Sequence, residues 1–272
     1  MLLTPVQDGG TASTWLFLCP ILFQVPISGG VDAMAKWASW IHKWLALLMA
    51  VQILFWFVSG LFFAIAPIET VRSEHRIANQ EVEPLVIDEM SAQFAALNLP
   101  EGYQPLTLEV RRLLDRPVVV LTSVDDARSL YDLGDGQRLS PVTSEFAQTI
   151  AESHLTGNDE AIGLTFVEEE STEYRGALPA WRVEFEQASR AVYVAADTGQ
   201  VTARRSTLWR TFDFLWSLHI MDFKNHENFN TPLLIGVTFL GLVIILTGFV
   251  MFPSRLGYYA WRRRRKRRRA AK

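Results

Sequence analysis

The sequence predicts an α+β fold, in which two transmembrane helices flank a folded domain of antiparallel sheet and helix. Two apolar segments, residues 44–68 and 233–252, contain no charged residue. The chain between them carries most of the acidic residues, and parts of it alternate apolar and polar positions as half-buried strands do. Eight consecutive basic residues, 262–269, follow the second apolar segment. These patterns indicate a membrane protein with a large domain on one side of the bilayer.

The first transmembrane helix is predicted within residues 34–68. A bilayer core about 30 Å thick requires roughly 20 apolar residues in a helix, and the uncharged stretch here is long enough. Trp37, Trp40 and Trp44 cluster at its start, where indole rings favour the water–lipid interface. His42 lies among these tryptophans, and an ionisable residue at a membrane boundary is a candidate functional residue.

Residues 1–33 are predicted to form an N-terminal extension of uncertain structure. Their apolar run is broken by Pro20 and Pro26, is too short to span a bilayer, and lacks the preceding basic residues of a secretory signal. Met1 and Met34 both stay open as the translation start, and Met34 would lead directly into the first span. Cys19 is the only cysteine, which excludes an intrachain disulfide and covalent haem attachment through CxxCH.

Residues 69–206 are predicted to form the folded domain, joined to the first span by a connecting arm. A helix is expected around residues 87–97, and a second in EFAQTIAESHL, after a Ser or Thr cap within residues 140–143. Strands are predicted in LTLEVRR, PVVVLTS, AIGLTFVEE, AWRVEFEQ and RAVYVAAD. The last strand ends in DTGQ, a turn in which Gly199 easily reaches positive φ.

The C-terminal part is divided into three segments. Residues 207–230 are rich in aromatic side chains and predict an amphipathic segment at the membrane interface. Residues 231–253 predict the second transmembrane helix, in which Gly236, Gly241 and Gly248 allow close helix contact. Residues 254–272 form the basic tail.

The distribution of basic residues predicts the orientation in the membrane. Positive flanks of membrane helices stay in the cytoplasm, which applies to the tail and to Lys36 and Lys43. Both termini are therefore expected in the cytoplasm and residues 69–227 in the periplasm of a bacterium. The tail is interpreted as a topology signal that contacts anionic lipid. No nucleic-acid partner is expected, because no folded basic surface accompanies the tail.

Three segments carry a resemblance to a known family: IHKWLALLMAVQILFWFVSGLFFAIAPIETVRSEH, PAWRVEFEQASRAVYVAADTGQV and LWSLHIMDFKNHENFNTPLLIGVTFLGLVIILTGFVMF. With these segments the chain resembles the bacterial PepSY-associated transmembrane proteins, in their short two-span type. Several relatives resemble haem-bearing inner-membrane reductases of ferric iron or ferric siderophores, and others have no established activity. Larger relatives have four spans, so the resemblance implies that this two-span chain forms a homodimer.

The resemblance implies that His42, His75 and His219 ligate the iron of haem b. About 26 residues of helix at roughly 1.5 Å each separate His42 from the far end of the first span, about 39 Å, so one haem cannot join both ends. Two copies of His42 are therefore expected to hold one haem, and His75 with His219 another. Each histidine also has a plainer interpretation, as an interfacial polar side chain that caps a helix or pairs with a carboxylate.

Other residues are assigned supporting or ordinary roles. Ala46 and Ala50 follow His42 on the same helix face and leave room for a macrocycle. Asp222 is expected to accept the second N–H of His219. His154 is interpreted as an ordinary surface residue, and His226, in the polar loop KNHEN, as a weaker ligand candidate.

The expected function is electron transfer across the inner membrane to periplasmic ferric iron or a ferric siderophore. No GxSxG, HExxH or phosphate-loop motif is present. Because flavin and nicotinamide motifs are also missing, a cytoplasmic flavin reductase is the expected electron donor and an iron transporter a further partner. The alternative is a non-enzymatic accessory or regulatory protein that binds a transporter or a peptidase. A visible spectrum discriminates between the two.

Overall fold

The structure is a computed structural model that describes residues 31–78, 85, 87–157 and 159–271. It divides into two compact units, Met1–Val51 with Gly236–Lys272 and Gln52–Ile235, which are considered separately. Most of the predicted N-terminal extension and much of the connecting arm, residues 79–84 and 86, lie outside the described residues.

Helices and strands follow one another in a mixed order, as the α+β prediction requires. The helices are α1 Val31–Ile65, α2 Ile68–Val71, α3 Ile87–Ala95, α4 Ser144–His154, α5 Thr207–Ile220, α6 Pro232–Arg255 and α7 Tyr258–Ala270. The strands are β1 Thr107–Leu113, β2 Arg116–Thr122, β3 Arg128–Asp132, β4 Ala161–Val167, β5 Ala180–Phe185, β6 Arg190–Ala195 and β7 Val201–Arg205. Short 3-10 turns cover Glu74–Arg76 and Gln187–Ser189.

Within the described residues, α1 and α6 are long and apolar enough to cross a membrane, over Ala33–Ile65 and Pro232–Pro253. Only 11% and 6% of their most apolar windows are buried. A core helix of a soluble protein would be covered by other elements, whereas these helices expose Leu, Phe and Val side chains along their length. The two-span prediction is confirmed, and the exposed apolar surfaces suit contact with a lipid bilayer.

The first unit contains the start of α1, most of α6 and all of α7. Ala38 and Met49 of α1 and Ile244 of α6 are buried, in contrast to most of the apolar side chains on these helices. Gly257, at φ 69°, separates α6 from α7. Because glycine adopts positive φ without steric cost, the chain can end the apolar helix there and begin the basic one.

The folded domain in the second unit contains two antiparallel sheets, with strand orders β1-β2-β3 and β4-β5-β6-β7. The two sheets and α4 share one hydrophobic core. Its members include Val118, Val120, Leu130, Val142, Ala147, Ile150, Val183, Phe185, Val192 and Val194. The sequence predicted a single sheet of this kind, and the antiparallel α+β character is confirmed.

Strand β2 is covered on both faces, which explains its continuous apolar sequence. Val118 and Val120 face the shared core, while Val119 and Leu121 face a second cluster that includes Phe94 of α3. The helix predicted around residues 87–97 is therefore present and packs on the sheet. The predicted cap of α4 is also present, because Thr143 Oγ1 accepts a hydrogen bond from the Phe146 amide at 3.3 Å.

Helix α5 connects the folded domain to α1. At its start, Ser206 Oγ accepts a hydrogen bond from the Trp209 amide at 3.2 Å. The Arg210 guanidinium donates to the Ser189 carbonyl at 2.7 Å and to Glu173 at 2.7 Å. Farther along α5, Phe212 packs against Phe63 of α1, with ring centroids 4.8 Å apart. The first half of α5 thus contacts both the folded domain and α1 within the second unit.

Candidate functional site

His42 occupies a defined polar position in the first unit. Its Nδ1 lies 2.9 Å from the Ile244 carbonyl oxygen and 3.2 Å from Thr247 Oγ1. A carbonyl oxygen only accepts, so Nδ1 carries the hydrogen and donates it. In the neutral imidazole the lone pair then lies on Nε2, the form in which histidine binds a metal.

Two residues of α6 allow this approach. The Thr247 hydroxyl turns back to its own helix, 2.8 Å from the Val243 carbonyl and 2.9 Å from that of Ile244. Gly248 has no side chain, and a Cβ there would lie 3.4 Å from His42 Cε1. A larger residue at 248 would compete with the imidazole for the same space. The glycine that the sequence assigned to helix contact thus has a specific neighbour.

His219 occupies a second polar position, in the last turn of α5. Its Nδ1 lies 2.7 Å from Oγ of Ser59, a fully buried residue of α1. The same Oγ lies 2.6 Å from the Phe55 carbonyl oxygen, which can only accept. Because a hydroxyl has one hydrogen, donation to Phe55 leaves Oγ as the acceptor of Nδ1–H. In that arrangement His219 also has its lone pair on Nε2.

The end of α5 is fixed by side chains of α1. Gln52 donates to the Leu218 carbonyl at 3.3 Å, and the Trp56 indole donates to the His219 carbonyl at 2.8 Å. These carbonyls have no partner within their own helix, so the donors satisfy groups that an apolar environment would leave unpaired. Burial lowers the pKa of His219, which favours the neutral imidazole.

Aromatic rings enclose the His219 imidazole. The Phe63 ring meets it edge-on, with centroids 5.6 Å apart, and the Trp216 indole lies parallel to it at 6.5 Å. Phe212 and Phe229 extend the same group through contacts with Trp216. The imidazole therefore packs against two flat apolar side chains, those of Phe63 and Trp216.

The predicted partner of His219 was wrong. Asp222 accepts backbone N–H groups of Lys224, Asn225, Glu227 and Asn228 at distances of 2.9 to 3.3 Å. These donors lower the pKa of Asp222 to about 2, since they stabilise the carboxylate. In the part of the chain that the structure describes, Asp222 makes no hydrogen bond to His219, and Ser59 is the partner instead.

His75 and His154 lie in different environments. His75 is exposed on the turn Glu74–Arg76, and no hydrogen bond or ring contact joins it to His219 within the described ranges. Its pairing with His219 stays a prediction. His154 is half-buried rather than an ordinary surface residue, and its Nε2 accepts a hydrogen bond from Arg204 at 3.0 Å. Because a guanidinium only donates, the Nε2 lone pair of His154 is already used.

His226 makes two hydrogen bonds with residues of α5, although its sequence context is a polar loop. Its Nδ1–H donates to Asp213 Oδ2 at 2.5 Å, and its carbonyl accepts from the Trp216 indole at 3.1 Å. The two partners lie 13 and 10 residues earlier, on α5. Short sequence patterns give no signal for hydrogen bonds between residues so far apart. These hydrogen bonds become visible only in the folded structure.

A haem would require fewer protein ligands than a metal ion held by protein alone. Among the residues that the structure describes, no group of three or more His, Cys, Asp or Glu side chains could hold a metal ion. Haem needs only axial ligands, because the porphyrin supplies four nitrogens. Histidines that ligate metals generally donate their other N–H to a carbonyl or a carboxylate, as His42 and His226 do.

Comparisons with known proteins agree with the two-span architecture. A family model described as the PepSY-associated TM region matches residues 39–272, which include most of α1, the folded domain and all of α6. Searches of curated proteins and of solved structures found no match. Since the family model covers well over half of the sequence, this membrane protein belongs to the family of the PepSY-associated TM region.

Proposed function

We propose that this PepSY membrane protein uses haem b to transfer electrons across the bacterial inner membrane to periplasmic ferric iron or a ferric siderophore. It would then act as a haem-dependent ferric reductase. The observation that carries the proposal is the hydrogen bond from His42 Nδ1 to the Ile244 carbonyl. It gives an apolar helix pair one imidazole in the metal-binding tautomer.

The surroundings of His42 favour a ligand role over a purely structural one. Gly248 leaves room for the His42 ring itself. The small residues Ala46 and Ala50, one and two turns after His42, are where we expect a macrocycle to lie. Haem supplies one-electron redox chemistry when bound, and the chain supplies the axial nitrogen and the apolar surroundings that tune its potential.

His219 supplies the second position. Its Nδ1 is engaged by Ser59, and its ring lies among aromatic side chains. Two copies of His42 hold one haem in a homodimer, and His219 with His75 is the predicted ligand pair of another. Two haems held at opposite membrane faces would provide the path that an electron needs to cross the bilayer.

The orientation follows from charge. The basic residues of α7, with Lys36 and Lys43 at the start of α1, keep both termini in the cytoplasm. Residues 69–227 then lie in the periplasm, where ferric substrates arrive. Electrons come from a cytoplasmic flavin reductase, because the chain has no flavin or nicotinamide motif, and an iron transporter takes up the reduced ion.

A visible spectrum of the full chain tests the proposal. The protein is produced with added haem, purified in detergent, and measured oxidised and after reduction with dithionite. We expect a Soret band and sharpened bands on reduction. In His42→Ala haem affinity should fall by at least about tenfold, since loss of even a supporting partner of a metal ligand costs about 10- to 100-fold. His154→Ala is the matched control, because the lone pair of His154 is occupied by Arg204.

Absence of a Soret band in the wild-type chain, under conditions in which the protein is folded, contradicts the proposal. The non-enzymatic alternative, an accessory or regulatory protein that binds a transporter or a peptidase, would then stand. Retention of all haem by His42→Ala contradicts the assignment of His42.

A further inference from the structure

We infer that the contact of α1 with the lipid hydrocarbon ends near Trp56, so that residues 57–65 lie in the headgroup region and in water on the side of the folded domain. The sequence predicted a first span that reaches residue 68. Three features favour the earlier end: the length of α1, the polar loop beside its last third, and the spacing of its tryptophans. None of these features involves haem.

Helix α1 is longer than a bilayer requires. Its apolar part, Ala33–Ile65, has 33 residues, whereas that of α6, Pro232–Pro253, has 22. At about 1.5 Å per residue these helices are about 50 Å and about 33 Å long, and the hydrocarbon core is about 30 Å thick. A tilt of about 20°, typical of membrane helices, shortens the span of α1 by only about 3 Å. About a third of α1 therefore extends beyond the hydrocarbon.

Helix α5 lies along this last third of α1. The Phe212 ring packs against Phe63, with centroids 4.8 Å apart. Near the end of α5, the Trp56 indole donates to the His219 carbonyl at 2.8 Å. The two helices are therefore antiparallel here, and the C-terminal end of α5 lies at the level of Trp56.

The loop that follows α5 is polar. The helix ends two residues before Asp222, whose carboxylate accepts four backbone N–H groups of the loop. The loop also exposes polar and charged side chains, those of Lys224, Asn225, Glu227 and Asn228. Irregular backbone and charged side chains that face hydrocarbon are costly and are avoided in membrane proteins. The level of Trp56 therefore suits the lipid surface rather than the middle of a span.

Trp37 and Trp56 are spaced by about one bilayer thickness. About 19 residues separate them along α1, which corresponds to about 28 Å of helix. Tryptophan is enriched at both membrane–water interfaces, and Trp40 and Trp44 lie beside Trp37 at the first of them. A span that reached residue 68 would put the second interface about 18 Å farther along, where the sequence has no tryptophan.

The apolar side chains beyond Trp56 are compatible with this boundary. Phe57, Val58 and Leu61 are exposed and lie within about 8 Å of Trp56 along the helix. The headgroup regions add about 5–8 Å on each side of the hydrocarbon core, and apolar side chains of interfacial helices are favourable there. Ile65 then lies in water, and singly exposed apolar residues are ordinary on protein surfaces.

Under the proposed function, the boundary also defines the surroundings of the His219 site. His219 and its partner Ser59 would lie at the water–lipid surface rather than deep in hydrocarbon. A water-soluble electron acceptor can then approach the site from the side of the folded domain.

Site-specific fluorescence quenching tests the boundary. In a full chain with Cys19→Ser, a single cysteine replaces Leu47, Val51 or Ile65, which are 66%, 62% and 71% exposed, so the described protein covers little of any of them. Each cysteine is labelled with bimane, and the chain is reconstituted in phosphatidylcholine nanodiscs. Quenching by lipids that carry a nitroxide on the acyl chain is compared with quenching by aqueous iodide.

We expect the labels at Leu47→Cys and Val51→Cys, the matched controls, to be quenched mainly by the lipid nitroxide. The ratio of iodide to nitroxide quenching should be at least about tenfold higher at Ile65→Cys, because a charged quencher is excluded from hydrocarbon. Nitroxide quenching at Ile65→Cys as strong as at Leu47→Cys overturns the inference and extends the span towards residue 68. Iodide quenching at Val51→Cys as strong as at Ile65→Cys also overturns it, because the boundary would then lie closer to the start of α1.

Discussion

His42 and His219 differ in the partner that holds Nδ1. Each partner lies in the same unit as its histidine. His42 bonds to a backbone carbonyl, which can only accept. His219 bonds to the Ser59 hydroxyl, which can accept or donate. The tautomer of His42 is therefore fixed by its partner, whereas that of His219 depends on where the hydroxyl hydrogen of Ser59 points.

This difference shows where each site is vulnerable. The His42 site depends on shape, because its partner is backbone and no substitution removes that carbonyl. The His219 site depends on one side-chain hydroxyl and on the carbonyl of Phe55, 2.6 Å from it. Steric changes should therefore damage the first site, and removal of a hydroxyl should damage the second.

Of the substitutions proposed to test this difference, Gly248→Leu should reduce haem affinity the most. A Cβ at 248 would lie 3.4 Å from His42 Cε1, so the further atoms of leucine would compete with the imidazole for the space beside its hydrogen bond to Ile244. Under the proposed ligation of haem by His42, we expect haem affinity to fall about 10- to 100-fold, the range found when a supporting contact of a metal ligand is lost. Titration of the apoprotein with haem, followed at the Soret band, measures the change.

Gly236→Leu is the control, since a Cβ at 236 meets no described atom within 4 Å. Both variants add the same side chain to the same apolar helix. Equal losses of haem in the two variants would show that the space beside His42 is not used by the site.

Ser59→Ala should have a smaller effect, confined to the His219 site. It removes the partner of His219 Nδ1, and a buried donor without an acceptor costs about 1–3 kcal/mol. Under the proposed ligation of haem by His219, we expect a roughly 10-fold loss of haem affinity there and no change at His42. Ser217→Ala is the control, because buried Ser217 donates to the Phe214 carbonyl of its own helix. Unchanged haem affinity at the His219 site in Ser59→Ala would show that the Ser59 hydroxyl does not support this ligand.

The sequence predicted the spans and many secondary elements because their signals are local. Two uncharged apolar segments predict α1 and α6, and the Thr143 cap predicts the start of α4 from neighbouring residues. The division of the strands into two sheets was missed, because it depends on which strands pair. β2 shows the difficulty, since its continuous run of valines also suits a strand at the centre of one sheet.

Site residues were predicted where position alone identifies them. His42 stands out beside a membrane span, but its contacts with Ile244 and Gly248 join residues about 200 positions apart and require the fold. Asp222 was wrongly assigned because it follows His219 by one helical turn. The helix ends at Ile220, Met221 adopts φ 55°, and the carboxylate turns to the following loop instead. Proximity in sequence does not predict contact once a helix has ended.

His154 contrasts with His42, because its Nε2 is already engaged by Arg204. Substitution of His154 should have the smallest effect of those considered, and only on stability. Burial and the nearby Arg204 lower the pKa of His154, since both disfavour the imidazolium. The folded chain then binds fewer protons than the unfolded chain just below the usual histidine pKa of about 6.5. Stability from this group is therefore present above about pH 6.5 and lost as the pH falls towards the lowered pKa. In His154→Gln, whose amide oxygen still accepts from Arg204, the decrease in thermal unfolding temperature between pH 7.5 and 5.5 should be smaller than in the wild type. Equal decreases in the two proteins would show that folding does not lower the pKa of His154.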